Sequence, residues 1–270
     1  MFATDHISVF RGGKAILDRV SIQLAPGELS VILGPNGAGK STLLQALTRT
    51  LTPDQGEVFL DGTPLRELPI EELARRRAVL AQESFLQFDF SVEEVVLLGR
   101  IPHLSGWESD RDRDICSQAL RSVEMDAFRH RRYPSLSGGE KQRVHLARVL
   151  AQLEDQREAA DPAPWLLLDE PTSALDLRHQ HSVLGQARKL AKVRGFGVCA
   201  VLHDINLALH YADHVVLMDQ GRVAAQGTAS ETLTAERISE VYQVQAQVLC
   251  ASNCPFVQIQ SHHEKHALNV

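Results

Sequence analysis

Apolar and polar residues alternate through the first 35 positions, where RVSIQL places Val20, Ile22 and Leu24 on one face and ELSVIL runs directly into Gly34. Alternation of this kind predicts strands. STLLQALTRTL then takes helical spacing, QGEVFLDGTPL reads as a strand and tight turn, and EELARRR as a short helix before the strand AVLAQ. From about residue 86 to 152 the pattern changes to helical runs. These include VEEVVLLGR and a segment with Ile115, Ala119 and Val123 at spacing four. In the helix that follows LSGGE, Leu146, Val149, Leu150 and Leu153 recur at i, i+3, i+4 and i+7, which predicts one buried stripe.

EDQREAADPAP, residues 154–164, is polar and proline-bearing and reads as a surface connection. Strand patterns resume with WLLLDE, GVCAVLH and the hairpin HVVLMDQGRVAAQG, whose turn is expected at Asp219 to Gly221. Between them LRHQHSVLGQARKLAKVRG reads as a helix stopped by Gly195, with Lys189, Lys192 and Arg194 suited to the negative end of its dipole. Strands alternating with helices predict an α/β fold with a mainly parallel sheet covered on both faces.

Composition adds exclusions. The 270 residues are 44% hydrophobic and 23% charged, as in an ordinary globular protein of one large domain or two smaller ones. A net charge of -6 argues against binding nucleic acid through a basic face, so no nucleic-acid partner is expected. No apolar run approaches the roughly 18 to 20 residues of a spanning helix. MFATDHISVFRGGK carries an early Asp5 and no signal-peptide core, so a cytosolic location is expected. Cys116, Cys199, Cys250 and Cys254 are scattered, which suits a reducing compartment.

Chemistry concentrates at the strand ends. GPNGAGKS fits G-x-x-x-x-G-K-[ST] in full between a strand and a helix. Its glycines let backbone N–H groups converge on phosphates, Lys40 can reach the terminal phosphates, and Ser41 can ligate magnesium. WLLLDE ends in Asp169, a carboxylate for the metal, followed by Glu170 as general base for an attacking water. Gln82 ends AVLAQ and His203 ends GVCAVLH. A lone histidine at a strand end is more often structural. With parallel strands ending at one edge, however, His203 and Gln82 are expected to reach the terminal phosphate and its water. Ser137, Gly138 and Gly139 open a helix and form an anion-binding N-terminus without a lysine or metal ligands of its own. That is half of a nucleotide site.

LSGGE, GPNGAGKST, Gln82, LLLDEP, SALD and His203 together resemble the ATP-binding subunits of ABC transporters, over nearly the whole chain to about residue 240. The resemblance implies a P-loop NTPase (RecA-like) core with an antiparallel β subdomain and an inserted α-helical subdomain. The core would span 1–85 and 153–240, the helical subdomain 86–152, and a C-terminal tail 241–270. It implies ATP and Mg2+ as cofactors. Gly34, Pro35, Asn36, Gly37, Ala38, Gly39, Lys40, Ser41 and Thr42 would hold the nucleotide, and Ser41, Gln82 and Asp169 the metal. Glu170, His203 and Gln82 would be catalytic.

Ser137, Gly138 and Gly139 look like the family signature, which would close over the nucleotide of a second copy in a head-to-tail homodimer, and SALD at 173–176 looks like its D-loop, with Asp176 a further nucleotide-binding residue. Two transmembrane permease subunits, and indirectly a periplasmic substrate-binding protein, would complete the assembly at the cytoplasmic side of the inner membrane. Many members stack a tyrosine near the first strand on adenine. This chain reads VFRGGK there, and either Phe10 or Arg11, the latter through cation-π contact, could cover the base.

SVEEVVLLGRIPH at 91–103, SALDLRHQHSVLGQARKLA at 173–191 and AVLHDINLALHYADHVVLMDQGRVAAQG at 200–227 resemble importers of iron chelates, hemin and cobalamin. DLRHQH and the residues between LARVLAQ and WLLLDE are most similar to hemin-import ATPases. Hemin is the leading substrate, with iron-siderophore or cobalamin import as the alternative. A soluble ATPase that remodels DNA would carry a long heptad insertion between Gly39 and Ser137, which is missing. A binding module without turnover would be expected to lack Glu170 or His203. Cys250 and Cys254 with His262, His263 and His266 have no strong metal-ligand spacing, and a frayed polar terminus accounts for the histidines.

Overall fold

The computed structural model describes residues 1–81, 89–104, 106–154, 161–173, 175–251 and 254–260. Its first strands, β1 (Phe2–Arg11) and β2 (Lys14–Leu24), form an antiparallel hairpin, and β3 (Leu29–Leu33) leads into α1 (Lys40–Leu47). Then β4 (Gln55–Leu60) and β5 (Thr63–Pro64) complete an antiparallel sheet of order β2-β1-β4-β5. The helical run STLLQALTRTL stops at Leu47, earlier than its spacing suggests. Tertiary contacts decide that end: Arg49 takes a left-handed φ of 56° while its guanidinium donates to the carbonyls of Leu68 (2.6 Å) and Arg66 (3.1 Å).

After α2 (Ile70–Arg76) and β6 (Arg77–Leu80), the chain enters helices: α3 (Val92–Leu97), a 3-10 segment Leu98–His103, α4 (Asp110–Ser122) and α5 (Gly138–Leu153). Each α-helix of this group opens with the same device, a serine that caps a backbone N–H while the acid three residues on accepts from the serine's own N–H. The pairs are Ser91–Glu94, Ser109–Asp112 and Ser137–Glu140. The second half of α5 is buried nearly all round rather than along the one stripe its spacing predicts, with Val144, His145, Leu146, Ala147, Val149, Ala151 and Leu153 buried and Leu150 half-buried, because helices and sheet pack on it from several sides.

Beyond the connection come β7 (Trp165–Asp169), α6 (Leu177–Arg194), β8 (Gly197–Val201), α7 (Ile205–Tyr211), β9 (His214–Asp219) and β10 (Arg222–Thr228). Gly195, with φ of 70°, ends α6 as the pattern predicts. The main sheet has order β10-β9-β3-β8-β7-β6, parallel throughout except for the β9–β10 hairpin. Its central strands are apolar on both faces. Val31, Leu166, Leu168, Val198 and Ala200 face a core shared with the helices, while Ile32, Leu167, Cys199 and Val201 face a second core shared with α1 and the antiparallel sheet. Coverage on both sides explains why these strands read as continuous apolar runs.

The chain continues through α8 (Ala229–Thr232) and α9 (Ala235–Tyr242). Within 241–270 it then forms a hairpin of β11 (Gln245–Ala251) and β12 (Cys254–Gln260). Asn206 on α7 grips this hairpin at both polar groups of Val257, accepting from its N–H at 2.6 Å and donating to its carbonyl at 3.4 Å. Among the described residues no helix is long and apolar enough to cross a membrane.

Candidate functional site

Sheet register assembles the site. Ile32 pairs with Val201 and Val201 with Asp169, so β3, β8 and β7 end in one row. The residues that follow, Gly34, His203 and Glu170, therefore leave the same edge. Parallel strands that end together make the usual ligand crevice of α/β sheets.

The phosphate loop is held from behind. Gly34 has φ of 148°, and a Cβ there would lie 2.3 Å from the Met218 carbonyl oxygen, so only glycine fits. The N–H of Gly221, in the turn between β9 and β10, donates to the Ala38 carbonyl at 3.1 Å and pins the loop to the sheet. Lys40 is 6% exposed; its Nζ donates to the carbonyls of Gly34 at 2.8 Å and Pro35 at 3.0 Å. Burial lowers its pKa, and the charges of Glu170 and Asp169 oppose that shift. An ammonium resting on loop carbonyls with two carboxylates nearby is poised to exchange those carbonyls for phosphate oxygens.

Asp169 and Glu170 experience different surroundings. Burial, and then the neighbouring Glu170 charge, raise the pKa of Asp169, and its Oδ1 is buried without a hydrogen-bond partner. A carboxylate oxygen in that state fits a hard divalent cation. Mg2+ is ordinarily held by one or two carboxylates together with substrate phosphates, and Ser41, at the start of α1, adds a hydroxyl oxygen of the right kind. Glu170 adopts φ of 48°, a left-handed conformation that costs a non-glycine residue about 1–3 kcal/mol and that concentrates at functional sites. Its Oε1 lies 2.6 Å from Nε2 of His203. Of that pair the histidine is the open member, at 46% side-chain exposure against 14% for Glu170.

Ser137, Gly138 and Gly139 stand at the N-terminus of α5. Ser137 and Gly138 are exposed, and a Cβ on Gly138 would meet nothing within 4 Å. Glu140 accepts from the Ser137 N–H at 2.7 Å, and hydrogen bonds from Ser137 hold its pKa low. Among the described residues no hydrogen bond or ion pair joins residues 137–139 to the phosphate loop. Asp176 caps α6, accepting from the His179 N–H at 2.9 Å and lying 2.7 Å from His179 Nδ1. Phe10 is 46% exposed and Arg11 is exposed, both at the β1–β2 turn. Gln82, Ala174, His262, His263 and His266 lie outside the described residues. Cys250 is an exposed free thiol.

Two residues that motif reading passes over organise the acidic turn. Gln142 Nε2 donates to the Pro171 carbonyl at 2.5 Å, tying the signature helix to the residue after Glu170. Gln180 Nε2 donates to the carbonyls of Thr172 (3.1 Å) and Leu175 (3.0 Å). Neither has a periodic signal, because a polar side chain on a helix face looks the same facing a turn or facing water. The Ser137–Glu140 box did have one, the spacing S-x-x-E ahead of an apolar run.

Residues 17–173 match the family described as ABC transporter. The chain is 47% identical over 243 residues to the Hemin import ATP-binding protein HmuV of Hahella chejuensis, covering 90% of this chain and 93% of that one. A putative metal-chelate type ABC transporter in an inward-facing conformation is similar at a TM-score of 0.79 and 25% identity, over 96% of both chains. An ATP-binding cassette dimer in a post-hydrolysis state, bound to ADP and Pi, is similar at a TM-score of 0.75 and 27% identity, over 85% of this chain and 99% of that one. With a phosphate loop, an acidic strand end and a signature turn arranged on such a fold, the chain belongs to the ABC transporter family, as one of its ATP-binding, ATP-hydrolysing subunits.

Proposed function

We propose that this chain powers hemin import across a bacterial inner membrane, hydrolysing ATP from the cytoplasmic face as a head-to-tail homodimer beneath two transmembrane permease subunits. A periplasmic binding protein would deliver the substrate to them. ABC cassettes dimerise and work with transmembrane components. The observation that carries the hydrolytic part is the Glu170–His203 pair at 2.6 Å on the edge where the phosphate loop begins. Hemin rests on the similarity to hemin-import ATP-binding proteins.

In this reading ATP lays its phosphates on the N–H groups of residues 34–42, and Lys40 moves from the Gly34 and Pro35 carbonyls to the terminal phosphates. Asp169, Ser41 and Gln82 would hold Mg2+, which neutralises phosphate charge when bound. Glu170 accepts the proton of the attacking water, and His203 fixes the glutamate carboxylate through Nε2 while facing the terminal phosphate. Ser137, Gly138 and Gly139 of one subunit, with Asp176, complete the site of the other. That supports glycine at 138, where the chain alone has open space for a side chain. Phe10 or Arg11 would cover the adenine.

A strain lacking this chain is expected to lose growth on hemin as sole iron source and to keep growth on a siderophore and cobalamin-dependent growth. Normal growth on hemin, in a strain without a redundant importer, would remove the hemin assignment. Loss confined to siderophore or cobalamin would replace it.

A further inference from the structure

We propose that Gln142 is a positioning residue for hydrolysis, holding Glu170 in place through the Pro171 carbonyl; this rests on the reading of Glu170 as general base. Glu170 stands against two local preferences at once. Its φ of 48° is left-handed for a residue with a side chain, and the residue before a proline is ordinarily extended. A backbone of that kind persists only where its surroundings fix it.

On one side the fixing comes from the sheet, since Asp169 is the last rung of β7, in register with Val201 of β8. On the other side it comes from α5. Gln142 Nε2 donates to the Pro171 carbonyl at 2.5 Å, and Pro171 is buried and has no N–H, so that carbonyl is its one main-chain polar group. Between it and the Glu170 Cα lie a planar peptide bond and a ring that locks φ, which leaves ψ of Pro171 as the one soft torsion. A donor placed on this carbonyl therefore sets the direction in which the Glu170 backbone leaves the strand.

The neighbouring bonds of the turn are local. Ser173 donates to the Glu170 carbonyl from its N–H at 3.3 Å and its Oγ at 3.1 Å, and the Leu175 N–H donates to the Thr172 carbonyl at 3.3 Å. These move with the turn, whereas Gln142 belongs to a helix packed on β6 and β7. Its amide is also one-sided: among the described residues no hydrogen bond reaches the buried Oε1. Turning the amide over would set oxygen against oxygen, because Pro171 offers only an acceptor. A buried acceptor without a donor costs stability, so this glutamine is not merely a solvated face of α5. What it secures is the carboxylate, 14% exposed, with Oε1 2.6 Å from His203 Nε2. A displacement of about 1 Å at a reacting group can cost about 100-fold in rate.

Two variants of the full chain test this: Gln142→Met, which keeps length and removes the donor, and Gln142→Glu, which keeps shape and sets a second acceptor against the carbonyl. Each is compared with the native chain by thermal melting, ATP binding and steady-state hydrolysis with Mg2+, and Gln142→Met is also combined with Glu170→Gln for single-turnover rates. The expected result is a cooperative melt, KM and nucleotide affinity within about twofold of native, and kcat lower by about 10–100-fold in both variants. In the Glu170→Gln background, Gln142→Met is expected to lower the rate by no more than about twofold further, since the group it positions is gone. Folded variants with native kcat overturn the positioning role and leave Glu170 as the base. Losses that multiply in the double variant, or a raised KM at native kcat, also overturn it, because the amide would then act elsewhere. So does failure of both single variants to fold, which would make Gln142 a stabilising residue only. An unchanged rate in Glu170→Gln alone removes the general base, and this proposal with it.

Discussion

The phosphate loop and the signature turn are both glycine-bearing entrances to a helix, yet they are built to opposite rules. At the phosphate loop everything comes from within the chain: Gly34 is locked against Met218, Lys40 is buried on loop carbonyls, and Asp169 and Glu170 lie close enough to shift its pKa. At the signature turn Ser137 and Gly138 are exposed, the glycine has empty space around it, and the nearest acid, Glu140, is consumed in capping. The first region gathers its lysine and acids inside one chain; the second is an open surface with no lysine or metal-ligand type of its own. A helix N-terminus offers N–H groups to an anion in both cases, but only the first keeps its own counter-charge.

The largest effect should separate chemistry from binding at the self-contained site. Glu170→Gln is expected to keep ATP affinity while hydrolysis falls by about 10²–10⁴-fold, the usual contribution of a general base. Single-turnover hydrolysis with matched nucleotide-binding measurements checks this, and an unchanged rate would remove Glu170 from its role.

Next in size comes a test of whether the two regions meet between chains. In mixed dimers carrying Lys40→Met and Gly138→Asp, one intact site survives when the two changes sit on different chains, and none survives when they share a chain. Hydrolysis by purified mixed dimers reads this directly. The opposite pattern would place the signature turn over its own phosphate loop and break the head-to-tail reading.

The smallest effects concern stability. Gly34→Ala places a methyl group 2.3 Å from a backbone oxygen and should cost about 2–4 kcal/mol, lowering the melting temperature by several degrees. Gly138→Ala meets nothing and should change stability by no more than about 0.5–1 kcal/mol. Equal losses at the two positions would erase the contrast between a packed loop and an open turn.

Much of this was legible before any coordinates. The phosphate loop is a contiguous motif between a strand and a helix, so its residue types alone declare it. WLLLDE and GVCAVLH announce buried parallel strands because both faces are covered and the apolar run is unbroken. Less legible were features made by partners distant in sequence. The early end of α1 follows from where Arg49 reaches, and the grip of Gln142 on Pro171 uses a side chain that a helical pattern counts only as polar. The hairpin of β11 and β12 rests on Asn206, whose amide matches the two polar groups of Val257 only once α7 and the hairpin are side by side.

By itself the sequence determined which groups are present: one lysine-bearing phosphate loop, an acid pair at a strand end, a histidine at another, and a signature turn without a lysine or metal ligand of its own. Motifs and apolar periods are local, so they survive translation from a string. Tertiary structure alone decided distances and exposure. Register, with Ile32, Val201 and Asp169 in one row, sets His203 against Glu170 at 2.6 Å; packing buries Lys40 and leaves Gly138 open; and the buried Arg100 guanidinium joins the first turn of α4 to the last turn of α5. Each of these depends on contacts across the fold, and no spacing along the chain encodes them.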